Sequence, residues 1–327
     1  MLNSELLGIL RCPECGSLLT FEPSQRGAAV SMEGLVRCKD SGHSFPVRKG
    51  IPRFVPAENY AVNFGFQWNE FRKTQLDHHS GTTVSRDRFF AQSGWDPADL
   101  RGRWVLDVGC GSGRFAEVAL SCGAKVVALD YSSAVDAVAD NLGADPNLGI
   151  VQGDVFKLPF APESFDFVYC FGVLQHTPDV RRAFDSLPGV LKRGGKLAVD
   201  VYPRLLGNLF VGKYWVRPLL KGMPHERLYE LVGKLVPKTY PVARFVARIP
   251  LVGRKLRHLL PISIYDGIFP LSAEQLLEWS VLDTFDMLSP VHDHPQSVRS
   301  LRQWFREAGL RDVQAFRLGV AVGRGRK

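Results

Sequence analysis

Long apolar runs are missing from this chain. No stretch reaches the roughly 18 consecutive apolar residues that suggest a membrane-crossing helix. The N-terminus MLNSELLGIL lacks the basic leader and long apolar core of a secretory signal. Cysteine is scarce as well: six in 327 residues, at positions 12, 15, 38, 110, 122 and 170, mostly in apolar text. That pattern excludes a secreted disulfide framework and points to a reducing, cytoplasmic setting. Internal repeats and low-complexity tracts are absent, which excludes repeat architectures.

What remains is ordinary globular material, 45% hydrophobic and 23% charged. It is long enough for a large core and two or three units. The net charge of +8 is unevenly placed. Between Pro203 and Ile262 there are twelve Lys/Arg against Glu226 and Glu230, a local excess of ten. Such a segment suits nucleic acid, an anionic membrane surface or a phosphorylated substrate; it is also compatible with a merely solvated face.

Four of the scarce metal-binding side chains fall close together. Cys12 and Cys15 in LRCPECGSLLTF are followed by Cys38 and His43 in LVRCKDSGHSFPVRKGIPRF. The spacing is C-x2-C, then C-x4-H. Three thiolates and an imidazole close a tetrahedral structural zinc site. A segment of about 55 residues has too little core to stand alone, so a metal staple makes physical sense. The alternative is an eroded ribbon, with Ser41 where a second CxxC would put its cysteine. The text resembles the zinc ribbons attached to, or partnering, certain methyltransferases, including an activator subunit and the heads of large-subunit rRNA guanine methyltransferases.

RWVLDVGCGSGRFAEVAL, residues 103–120, reads as strand, glycine turn and helix, a nucleotide-binding opening. Gly113 follows Gly111 by two residues, whereas a dinucleotide fingerprint needs three. Asp107 ends the strand, where a pyrophosphate would be repelled and a cationic cofactor tolerated. The next strand, AKVVALD, ends in Asp130, 23 residues on, which fits a carboxylate accepting ribose hydroxyls.

These residues resemble the first motif of the class I S-adenosylmethionine-dependent methyltransferases (the type 11 kind), and the resemblance continues in order over about 100 residues. It implies a cofactor site on Asp107, Gly109, Cys110, Gly111 and Gly113, with Asp130 on the ribose and Tyr131 flanking the adenine. VQGDVFKLPF matches the third motif, which implies Asp154 at the adenine amino group and Val155 offering its backbone. SFDFVYCFGVLQHTPD matches the fourth strand and its exit, with Phe171 at the mouth, and LKRGGKLAVDVY the fifth.

The expected fold is α/β: a Rossmann-like, doubly wound, seven-stranded methyltransferase sheet. It carries an N-terminal zinc ribbon (1–56), a helical linker or lid (57–100) and a core (101–201 and 295–327). A basic, mainly helical cap (202–294) is inserted after the fifth strand. A capping box, Ser272 to Gln275, predicts a helix start, and Leu301, Phe305 and Ala308 predict a final helix stopped by Gly309.

For chemistry, His176 is the candidate base, since it follows the fourth strand at the mouth and histidine titrates near neutrality. A loop-shaping role is the alternative. Asp283, Asp286, His292, Asp293 and His294 either line the acceptor pocket or are solvated turn residues; a second metal there would need more than one loop triplet. YCFGVLQH lacks the Asp/Asn-Pro-Pro-aromatic sequence of exocyclic-amine methylation. The expected activity is methyl transfer to oxygen or nitrogen of a small-molecule, glycan or lipid-linked acceptor. The alternatives are an rRNA or tRNA methyltransferase gripping phosphates with the ribbon and cap, and a non-catalytic scaffold. Nothing in the sequence fixes the oligomeric state.

Overall fold

The structure is a computed structural model, and it describes residues 2–24, 32–56, 59–204, 211–220, 222–250, 252–256 and 259–327. Within the basic segment, Lys221 and Arg257, and the side chains of Arg254 and Lys255, lie outside the described residues.

The chain opens with a short helix α1 (Ser4–Ile9), capped by the Asn3 side chain, which accepts from Leu6 N at 2.8 Å. Strands β1 (Leu19–Pro23), β2 (Gly34–Cys38), β3 (Ser44–Arg48) and β4 (Ile51–Pro52) form a four-stranded antiparallel sheet in sequential order. Helices α2 (Val62–Glu70), α3 (Asp77–Ser80) and α4 (Val84–Ser93) follow. The alternation β5 (Trp104–Val108), α5 (Arg114–Ser121), β6 (Lys125–Asp130), α6 (Ala134–Leu142), β7 (Leu148–Gln152), β8 (Phe165–Cys170), α7 (Val180–Val190), β9 (Leu191–Val201) builds the parallel part of the large sheet. Four helices are inserted next: α8 (Gly212–Leu220), α9 (His225–Ala247), α10 (Gly253–Leu256) and α11 (Ala273–Leu288). Helix α12 (Val298–Glu307) and the hairpin β10 (Arg311–Leu318), β11 (Val320–Arg326) close the chain.

The large sheet has seven strands in the order β10-β11-β9-β8-β5-β6-β7, with only β11 running against the other six. This is the doubly wound α/β sheet expected from the sequence, with its insertion after the fifth strand. The order reverses at β5, so ligands are expected beyond the carboxyl ends of β5 and its neighbours.

WVLDV is buried along almost its whole length, as a central parallel strand must be. Its alternate residues feed two cores. Leu106 and Val108 join one with α7 and α12; Val105 joins the other with Phe89 of α4 and Phe115 of α5. The first core also takes in Leu6, Leu10, Cys12, Leu19 and Cys38, so the small antiparallel sheet shares the hydrophobic core of the large one. Arg53 continues the join: it bridges Gln152 of β7 in parallel register and its guanidinium pairs with Asp136 of α6 at 2.7 Å.

The inserted helices make smaller clusters. Leu228, Val232 and Val236 on α9 meet Phe285 on α11, with Phe66 of α2 packed against them. Trp279 and Leu282 of α11 meet Phe71, with Trp68 of α2 alongside. Helix α2 is thus held between the insertion and the sheet. Among the described residues no helix is long and apolar enough to cross a membrane.

Candidate active site

Two adjoining cavities open at the carboxyl ends of β5, β6 and β8, and the glycine loop separates them. Gly109, Gly111 and Gly113 all have positive φ, of 78°, 53° and 92°. A side chain at Gly109 would strike Val173, and one at Gly111 would sit 3.0 Å from the Trp68 ring, so both positions need glycine on two counts.

The first cavity is narrow, about 120 Å3, and is lined by Gly109, Asp130, Tyr131, Val155, Phe171 and His176, with Tyr60 and, on α2, Phe64 and Trp68. Tyr60 stacks on Tyr131 at 4.9 Å between centroids. A flat aromatic ligand edge fits such a slot between aromatic and aliphatic walls. Asp130 is already well used. Its Oδ1 accepts from Ser132 N (2.8 Å) and Ser132 Oγ (2.7 Å), and its Oδ2 from Gly111 N (3.0 Å). A carboxylate offers about four acceptor positions, so roughly one is left for a ribose hydroxyl unless Ser132 turns away.

Three of the sequence-predicted cofactor residues line neither cavity. Gly113 caps α5. Asp154 turns its carboxylate to Phe156 N at 2.8 Å, capping a short turn. Its neighbours Gly153 and Val155 are the residues that reach the cavity. Asp107 lies buried beneath the loop with Oδ2 unpartnered among the described residues. Burial first, and the nearby charge of Asp130 second, push its carboxyl up to about 8. A buried acid held neutral for want of a counter-charge suits a cationic ligand.

His176 is buried, with its ring between Phe64 (5.2 Å) and Tyr202 (5.3 Å). Its Nδ1 lies 3.0 Å from the carbonyl oxygen of His292. A carbonyl only accepts, so Nδ1 carries the hydrogen and Nε2 keeps the lone pair. Nε2 has no partner among the described residues. Burial lowers the imidazole below its usual range, partly opposed by Asp286, and keeps it neutral.

The second cavity is larger, about 560 Å3, and carries charge. It is lined by Cys110, Gly111 and Phe171 together with Arg88, Arg114, Lys213, Tyr202, Tyr265, Asp283 and Asp286. Arg114 is buried and, among the described residues, hydrogen-bonds only neutral groups, Ser85 Oγ and Gln75 Oε1, both at 2.9 Å. Burial lowers it to about 9. Arg88 pairs with buried Asp200 at 2.8 Å. The Tyr265 hydroxyl donates to Asp283, whose carboxyl burial lifts to about 7. Asp286 accepts from Gln67 (3.1 Å) and from the Tyr202 hydroxyl (3.2 Å) and faces both cavities.

The solvated-turn reading is corrected for the acids of the 283–294 cluster, while His294 is exposed in the coil after α11 as that reading expected. Asp283 and Asp286 sit on α11 with their side chains in the site, and Asp293 is buried against Lys213 (3.0 Å) and Arg217. Among the described residues, no metal-binding group forms there. The sequence reading missed Arg88 and Arg114, although a charged residue directly after the last glycine was a visible signal; the aromatic-dense FGFQW belongs to the expected lid, and Phe64 and Trp68 do line the first cavity.

At the other end of the chain, Cys12, Cys15, Cys38 and His43 bring one ligand atom each within 4.8 Å of one another. Cys15 Sγ lies 3.4 Å from Cys38 Sγ and Cys12 Sγ 3.5 Å from His43 Nδ1. A zinc tetrahedron with Zn–S near 2.3 Å has edges of about 3.7 Å, so the set fits such an ion. Gly16 and Gly42 turn the two knuckles at positive φ. Burial raises the Cys12 thiol, while hydrogen bonding with Ser17 and then Ser41 lowers Cys15 to about 5. All six cysteines are free of disulfides.

Residues 106–199 match a family described as a methyltransferase domain. The ubiquinone biosynthesis O-methyltransferase of Xylella fastidiosa (strain 9a5c) is 34% identical over 130 residues, 38% of this chain and 53% of that protein. Its namesake from Coxiella burnetii (strain Dugway 5J108-111) is 36% identical over 100 residues, 30% of this chain and 43% of that protein. This chain thus spans about half the length of the curated relatives it matches. The crystal structure of human N-acetylserotonin methyltransferase in complex with S-adenosylmethionine aligns with a TM-score of 0.46 and 17% identity, over 84% of this chain and 60% of that one.

Proposed function

We propose that this chain, which has a class I S-adenosylmethionine-dependent methyltransferase domain at its centre, methylates a hydroxyl group on a small-molecule acceptor, lipid-linked or glycan acceptors included. One observation carries the choice of a hydroxyl: a neutral, buried imidazole with a free Nε2 lone pair lines the same cavity as the glycine loop and Asp130. The cofactor, when bound, supplies an electrophilic sulfonium methyl. The chain's own residues supply the rest. Gly109, Gly111, Asp130, Tyr131 and Val155 hold the cofactor. Asp107 balances its positive charge from below. Phe64, Trp68 and Phe171 exclude water. Nε2 of His176 takes the proton as the acceptor oxygen loses it, with Asp286 close enough to stabilise the imidazolium.

In this reading residues 1–56 are a zinc ribbon, with Cys12, Cys15, Cys38 and His43 holding one structural ion. A reducing compartment, the cytoplasm, keeps these thiols available. Residues 57–100 form the lid, 101–201 and 295–327 the core, and 202–294 the cap.

Labelled S-adenosylmethionine offered to a small-metabolite extract, a lipid extract and total RNA, at low and high salt, tests the activity. Label in an organic or metabolite fraction is the expected result. Label in RNA that falls steeply with salt would overturn the reading in favour of phosphate-directed binding.

A further inference from the structure

The second half of the cap turns apolar side chains outward. Helix α9 packs Leu228, Val232, Val236, Tyr240 and Ala243 inward. At 100° per residue Leu235, Val242 and Phe245 fall on an adjoining face, roughly 115° round the helix, with half-buried Leu231 on the same stripe. Phe245 is 72% exposed and Val242 64%. On α8, Trp215 (59%) and Leu219 (83%) form an i, i+4 pair, also outward. These are bulky side chains for a water-facing surface, and none of them takes part in the site.

The charge around them is predominantly positive. Arg227, Lys234, Lys238 and Arg248 are exposed along α9, while Glu226 and Glu230 lie together on one flank. The whole 203–262 segment carries its excess of ten positive charges. A long helix with an outward apolar stripe bordered along one edge by Arg227, Lys234 and Lys238, with Phe245 on it, has the features of a helix lying in a membrane interface.

We propose that the outer face of α8 and α9 docks the protein on an anionic lipid surface. Phe245, Val242, Leu235 and Trp215 enter the headgroup region, and the flanking cations meet acidic headgroups. The inner face of α9 is anchored on Phe285 of α11, the helix that carries Asp283 and Asp286 into the second cavity. Surface docking therefore brings the acceptor cavity to where a lipid-borne hydroxyl would be found. The docking itself does not depend on the proposed methyl transfer.

The test is co-sedimentation of the full chain with vesicles of phosphatidylcholine alone, or with roughly a third phosphatidylglycerol. The wild type is expected to partition strongly onto the anionic vesicles only, and to lose most binding at about 0.5 M salt. The Val242→Ser, Phe245→Ser double variant should bind roughly tenfold more weakly, and Lys238→Glu should weaken binding and flatten the salt dependence. Thermal unfolding and S-adenosylmethionine binding, measured on the same samples, establish that each variant is folded. Equal or absent binding to the two vesicle types would overturn the proposal. So would folded variants that bind like the wild type. Light scattering that shows a wild-type dimer converted to monomer by the double variant would instead assign the face to a second copy of the chain.

Discussion

Asp107 makes a quantitative demand on cofactor binding. Its carboxyl is pushed up to about 8 by burial, with no compensating cation among the described residues. At pH 7 about nine in ten molecules therefore carry it protonated. A cationic ligand seated above it favours the carboxylate, so binding at pH 7 should expel close to one proton from this group. Below about pH 8 that linkage weakens affinity, and between pH 7 and pH 8 it is worth roughly fivefold in Kd. The assay is titration calorimetry of S-adenosylmethionine in buffers of different ionisation enthalpy. The cofactor's own amino group titrates in the same window, so the quantity to read is the difference between wild type and Asp107→Asn. The wild type should release about 0.9 proton more than the variant at pH 7, falling to about 0.1 by pH 9. Asp107→Asn should also bind roughly tenfold or more weakly at pH 8, where the lost charge matters. Identical proton release in the two proteins, with both folded, would refute the placing of a cation over Asp107.

His176→Gln is expected to lower kcat by about 10²- to 10⁴-fold on whichever acceptor the labelling identifies, with cofactor Kd nearly unchanged; the wild-type acid limb should fall below the usual histidine range, because burial lowers the imidazole. A kcat within threefold of wild type would leave His176 a loop-shaping residue. Asp283 has a folded-state pKa raised to about 7, so its native state is favoured below about pH 4 and loses that advantage as pH rises through 7. Asp283→Asn should therefore gain stability relative to wild type between pH 5 and pH 8, by at most on the order of 4 kcal/mol, read as a rising difference in Tm. Cys38→Ser should lose bound zinc on elemental analysis and lower Tm by several degrees; equal zinc in both proteins would reject the site.

Much of this architecture is legible in the sequence because its signals are local. Strand β5, the glycine turn and α5 are contiguous text, and each glycine announces a backbone angle that other residues resist. The Ser272–Gln275 capping box forms as expected, with both reciprocal bonds present, and Gly309 follows α12 at positive φ. What escaped the sequence depends on distant contacts. Nothing local says that Arg88 meets Asp200 across 112 residues or that the His292 carbonyl selects the His176 tautomer. Asp283 and Asp286 read as pocket lining or solvated turn residues because they gather with His292, Asp293 and His294 in one short segment ahead of the final helix. They are on a helix that Phe66, Gln67 and Trp68 of α2 hold against the site. Asp154 shows a different limit: its motif position implies a ligand contact, and only the structure adds that its Oδ1 also caps the turn at Phe156 N.

The small antiparallel sheet has a consequence for how the chain tolerates trimming. A parallel sheet ends in rows of unpaired N–H and C=O groups, which invite other strands and promote aggregation. Here β7 is one such margin. Phe54 N donates to Gln152 O at 2.8 Å, and the Leu6 side chain fills the space above Gly149. The opposite margin, β10, is kept from self-pairing by a register shift between Arg311 and Gln314 and by exposed charges such as Arg311 and Asp312. A version starting at residue 57 would keep every motif of the glycine loop and still bare a sticky flank. Solubility, rather than any catalytic parameter, is where the loss of the N-terminal 56 residues would first be felt.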